Sequence, residues 1–146
     1  MTPTEIITKS RDLLCKQGKP AISELGGCSY RTSDNLACAV GILLSDEDAA
    51  LMDMMGEGSI DYILQFNLSK EEFENHPDRE YLDETDWDTY QKVSPEARKM
   101  MESNPELMQS MQVIHDQCQG VKPDVPVDMF VEHITEQFGY LLDAES

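Results

Sequence analysis

Positive charge is what this sequence has least of. Eleven Lys and Arg stand against 29 Asp and Glu, for a net charge of −18 over 146 residues. Such a surface repels the phosphates of nucleic acids and of anionic membranes, so direct contact with either is not expected. Long apolar runs are also missing, and no stretch approaches the roughly 20 apolar residues that span a bilayer. Cysteine is sparse, with Cys15, Cys28, Cys38 and Cys118 scattered rather than in close pairs. No Asp-x-Asp-x-Asp-Gly loop with its distal Glu occurs, and with it goes the commonest calcium-binding signature. There is no internal repeat and no low-complexity linker. The opening Met1-Thr-Pro-Thr-Glu5 lacks the charged-then-apolar pattern of a secretion signal. A cytoplasmic setting with reduced thiols is the expectation.

Hydrophobic residues make up 40% of the chain, enough for one folded core, and residues 1–146 read as a single domain. Helix signals dominate. Thr2, Pro3 and Glu5 form a start signal, Ile6, Ile7, Leu13 and Leu14 supply a stripe, and Gly18 with Pro20 marks the end. Ser45 with Asp48, Ser59, Ser69 with Glu72, Ser94-Pro95 and Asn104-Pro105 each look like a fresh helix start. Leu107, Met111, Ile114 and Cys118 repeat at helical spacing, as do Val127, Phe130, Ile134 and Phe138. The apolar run Ala37–Leu44 is expected to be helical, and turn residues Thr32-Ser-Asp-Asn35 predict one small β-hairpin near residues 26–38. The class is therefore mainly α. Residues 76–90 read instead as an irregular acidic excursion whose aromatics anchor it to the body.

Three segments carry a pattern. Cys28-Ser-Tyr30-Arg31 is followed by a turn and by Cys38-Ala-Val-Gly-Ile-Leu-Leu-Ser-Asp46; further on come Glu57-Gly58 and Met111-Gln-Val-Ile-His115-Asp116. This order resembles a signature of small phage and bacterial proteins that have no established activity. Two departures stand out: Met111 replaces a Leu, and an acidic stretch at about 69–103 looks like an insertion.

The chemistry these residues offer has several readings. Cys28, Cys38, His115 and Cys118 are soft ligands of the kind that hold zinc. Yet nine residues separate Cys28 from Cys38, where zinc sites use close pairs, and buried thiols packing as small apolar groups explain the same facts. No cofactor is expected. Cys38 before a helix start, with His115 and Asp116 as base and orienter, would make a nucleophile. Adjacent helical residues point about 100° apart, which predicts that Asp116 does not orient His115. The His-Asp pair also resembles that of metal-dependent phosphohydrolases, but these need further ligands and only His76 and His133 remain. Tyr30 and Arg31 are candidates for binding a carboxylate or phosphate; equally, Arg31 can pair with Asp46 or Asp116.

Charge is distributed unevenly. Residues 1–44 carry a net +1, residues 45–90 a net −13, and residues 91–146 a net −6. Within the middle block, Asp83, Glu84, Asp86, Trp87 and Asp88 combine carboxylates with an aromatic anchor, a set suited to a basic protein groove. The expectation is a non-enzymatic interaction protein, phage-encoded by analogy. Its acidic face would engage a basic, nucleic-acid-binding host protein as an inhibitor or decoy. The alternative is a small-ligand or enzyme site built around Cys28, Tyr30, Arg31, Cys38, His115 and Asp116.

Overall fold

The computed structural model describes residues 1–21, 30–32, 35–55, 59–117 and 126–145. Among them run α1 (Pro3–Gln17), α2 (Asp46–Asp53), α3 (Ile60–Leu64), α4 (Lys70–Glu74), α5 (Glu84–Lys92), α6 (Pro95–Ser103), α7 (Pro105–Asp116) and α8 (Val127–Glu145). Single 3-10 turns form at Gly41–Leu43 and Arg79–Tyr81. The fold is mainly helical, and no helix among the described residues is long and apolar enough to cross a membrane.

Local capping explains most of the helix starts. Thr2 Oγ1 accepts the Glu5 N–H and the Glu5 carboxylate accepts the Thr2 N–H, closing a capping box at α1. Ser69 and Glu72 repeat it at α4, while Ser45, Ser59 and Ser94 cap α2, α3 and α6 through their hydroxyls. Gly18, at a φ of 81°, ends α1 in the left-handed conformation and donates to the Leu14 carbonyl. Asp46, Glu47 and Asp48 occupy the first turn of α2, where the helix dipole favours negative charge.

Packing then joins the helices. α1 lies along α8, and α7 contacts α3, α6 and α8. Ile6, Ile7 and Leu14 of α1, Met108, Met111 and Ile114 of α7, and Phe130, Ile134 and Phe138 of α8 are buried in one core. Each such side chain contributes on the order of 1.5–3 kcal/mol when removed from water. Two expected members of these faces differ: Leu107 is only partly buried and Val127 is 57% exposed.

Residues 76–90 are not an irregular excursion. They form the Arg79–Tyr81 turn and most of α5 between α4 and α6, whose starts the capping signals predict, and the whole stretch sends Phe73, Leu82, Tyr90, Val93 and Met101 into the same core. The apolar positions of residues 76–90 were too widely spaced among carboxylates for the pattern to register as helix. Trp87 stacks on Phe73 with ring centres 5.8 Å apart, and its indole N–H donates to the Leu68 carbonyl at 3.0 Å. Tyr81, by contrast, is 75% exposed and anchors nothing.

Two expectations near residue 37 also change. The run Ala37–Leu44 is a turn followed by the Gly41–Leu43 3-10 turn rather than an α-helix. Among the described residues there is no strand at 30–38. Thr32 and Leu36 close a turn by a 2.8 Å backbone bond, with Asn35 at a φ of 61°. The rest of the expected hairpin lies outside the described residues.

Candidate functional site

The signature residues bond to one another. The Tyr30 and Arg31 N–H groups both donate to the Asp53 carboxylate, at 2.8 and 3.0 Å. The Arg31 guanidinium donates to the Leu44 carbonyl and pairs with Asp46, each at 3.2 Å. Its Nε is buried without a partner among the described residues. Gly41 lies so close to the Tyr30 carbonyl that any Cβ there would overlap it. Cys38 is buried, and its Sγ accepts the Gly41 N–H at 3.4 Å in the manner of a helix cap.

The Cys38 and Val40 carbonyls accept the Ile42 and Leu43 N–H groups of the following turn, and side chains supply partners for other backbone groups of residues 37–40. Gln17 of α1 accepts from the Ala37 N–H and donates to the Ala37 carbonyl, both at 2.9 Å. Ser10 donates to the Ala39 carbonyl at 2.8 Å, and Gln112 of α7 accepts the Val40 N–H at 3.4 Å.

Gln112 also donates to Asp116 at 3.1 Å, which links this segment to the His-Asp pair. His115 is fully buried. Its Nε2 accepts the Ala21 N–H at 3.1 Å, and since a backbone N–H can only donate, Nε2 carries no hydrogen. The ring hydrogen therefore sits on Nδ1 and is donated to Asp116 Oδ1, also 3.1 Å away. Asp116 does orient His115, against the expectation from helix geometry: the 100° divergence applies to the Cα–Cβ bonds, while the contact is made by atoms further along both side chains. With both nitrogens in hydrogen bonds to the protein, the imidazole in this arrangement has no lone pair left for a metal or a thiol proton. Cys28 and Cys118 lie outside the described residues. Among the described residues no group of three or more His, Cys, Asp or Glu is placed to hold a metal ion.

The acidic candidates divide into two sets. Asp83 is the N-cap of α5, accepting from the Thr85 N–H at 2.7 Å, yet it remains exposed, as do Glu84 and Asp88. Asp86 is buried and accepts the Tyr62 hydroxyl at 2.6 Å; Trp87 is half-buried and committed to Phe73 and Leu68. Asp86 and Trp87 therefore face inward rather than toward a partner. Burial, and then the Asp86 carboxylate, push the Tyr62 phenol well above the ordinary tyrosine value. Tyr90, buried and bonded to Glu102, is raised for the same two reasons in the same order.

Residues that sequence reasoning passed over hold much of this together, namely Asp53, Gln17, Gln112 and Gly41, and Asp48 does more than the start of α2 required of it. Asp48 is buried and accepts both the Ser94 N–H at 3.0 Å and the Ser94 hydroxyl at 2.7 Å, tying α2 to the start of α6. Only Gly41 and Gln112 had a signal, their place inside the signature. No protein-family model, curated protein or solved structure matches this chain.

Proposed function

We propose that this protein acts by binding, through an acidic face, to a basic surface on another protein, as a decoy for nucleic-acid phosphates. The face is the outer side of α4, the Arg79–Tyr81 turn and α5, where Glu71, Glu74, Glu80, Asp83, Glu84 and Asp88 are exposed around the exposed ring of Tyr81. The observation that carries the reading concerns Arg79. Residues 45–90 hold two cations, Lys70 and Arg79. Arg79 is turned inward, its guanidinium 4.2 Å from the centre of the Phe73 ring and donating to the Leu82 carbonyl at 2.9 Å. The outward carboxylates are left largely uncompensated, which favours a cationic partner and speeds encounter with it. A host nucleic-acid-binding protein bound as an inhibitor is the form of this reading that fits the phage resemblance.

The groups of the alternative site do work for the chain itself. Tyr30, Arg31, Cys38, His115 and Asp116 each bond to backbone or side chains of the same protein, as given above. A structural clasp accounts for them.

The test is capture of partners from lysate on immobilised protein, at low and high salt. The wild type is compared with a variant combining Glu80→Gln, Asp83→Asn, Glu84→Gln and Asp88→Asn, with Asp86 left intact because it is buried. Asn keeps the cap at position 83. A partner held at about 0.05 M salt, shed at about 0.5 M and missed by a folded variant is the expected result. Capture that is indifferent to both salt and variant refutes the reading.

A further inference from the structure

The buried His115 has no part in the proposed interface, and the hydrogen bonds at its two ring nitrogens give it a different capability. One nitrogen accepts from the Ala21 N–H and the other donates to Asp116, each at 3.1 Å, with the ring fully buried. That pattern exists only for the neutral ring. An added proton must go to Nε2, the one atom without hydrogen, and there it would face the Ala21 N–H with donor against donor. The contact that joins the backbone just after α1 to α7 cannot persist in that state.

We propose that His115 is a proton-operated latch, holding Ala21 to α7 when neutral and releasing it when protonated. On the other side of the ring stands the Asp116 carboxylate, 38% exposed. Two further titratable groups are placed about this point. His133 of α8 bonds through Nε2 to the Ile114 carbonyl at 2.9 Å, one residue before His115, and the exposed Lys19 precedes Ala21 by two residues. Ala21 itself is fully buried, so its amide is shielded from water while the latch is closed.

What opens is limited by the neighbouring ties. Gln17, at the end of α1, keeps its pair of bonds to Ala37, and Gln112 keeps the Val40 N–H, neither of which gains or loses a proton. Release is therefore local to the Ala21 contact, and the core helices stay packed. Local opening of this sort is what amide exchange measures.

The experiment follows the Ala21 amide and the histidine ring nitrogens by NMR from about pH 7.5 to about pH 5.5, across the range in which histidine changes charge. At the upper end, the ring of His115 should show the Nδ1–H tautomer. As the ring takes up its proton, exchange of the Ala21 amide, corrected for the intrinsic pH dependence, should accelerate at least about tenfold while amides of α8 do not change. His115→Gln keeps an acceptor oxygen but cannot titrate, and in it Ala21 protection should be flat with pH. A ring that stays neutral across the range overturns the proposal, and so does a ring that titrates with no change at Ala21. Both readings come from the wild type, so they stand even where the Gln variant fails to fold.

Discussion

Replacing Asp48 with Ala tests the idea that buried carboxylates serve as joints in this fold. Asp48 accepts two hydrogen bonds from Ser94, whose hydroxyl in turn caps α6 through the Ala97 N–H at 3.3 Å. Hydrogen bonds to a charged group contribute about 1.5–3 kcal/mol each, and the cost of burying the carboxylate offsets part of the sum. A net loss of about 3 kcal/mol follows, because the Ala variant also leaves the half-buried Ser94 N–H without its acceptor. For a chain of this length that lowers Tm by about 6–12 °C. Asp48→Asn keeps one acceptor and should lose only about 1 kcal/mol. Urea unfolding followed by circular dichroism and by the single tryptophan, Trp87, gives both values. A double-mutant cycle with Ser94→Ala should return a coupling of about 1–2 kcal/mol. A coupling near zero, or an Ala variant within about 0.5 kcal/mol of wild type, would refute the reasoning.

Two further outcomes are expected. Gly41→Ala forces a Cβ into the Tyr30 carbonyl and should destabilise by about 1–3 kcal/mol. The same change at Gly139, in the middle of α8 with open space around it, should stabilise by about 0.5–1 kcal/mol, and thermal melts of the two variants read the opposite signs. At high pH, Tyr62 and Tyr90 resist ionisation in the folded state because burial and the adjacent Asp86 and Glu102 carboxylates raise them. Their folded values lie above the unfolded one, so this contribution is intact below about pH 10 and is lost as the pH rises beyond it. Absorbance titration should show these two phenols ionising together with unfolding, whereas ionisation of both in a still-folded chain refutes the assignment.

Helix starts were legible because a cap is settled within four residues. Thr2 with Glu5, Ser45 with Asp48, and Ser69 with Glu72 all bond as their spacing predicts. The helical class, the core faces of α7 and α8, and the excess of surface acid follow from the same local reading. Residues 76–90 were misread because carboxylates diluted their apolar period, and Leu82 and Tyr90 show their burial only once the other helices cover them.

Long-range pairing had no local trace. Of the many carboxylates, which ones turn inward depends on the donors that meet them: Asp53 on the Tyr30 and Arg31 amides, Asp48 on Ser94, Asp86 on Tyr62. The apolar run at 37–40 departs from helix because Gln17, Ser10 and Gln112 satisfy its backbone from outside. His115 is an acceptor rather than a ligand or base because an amide 94 residues earlier points at it. Composition and periodicity by themselves determined what kind of chain this is and where its helices begin. Only the tertiary structure decided the role of each polar group, since a hydrogen bond depends on a partner that folding brings from far along the chain.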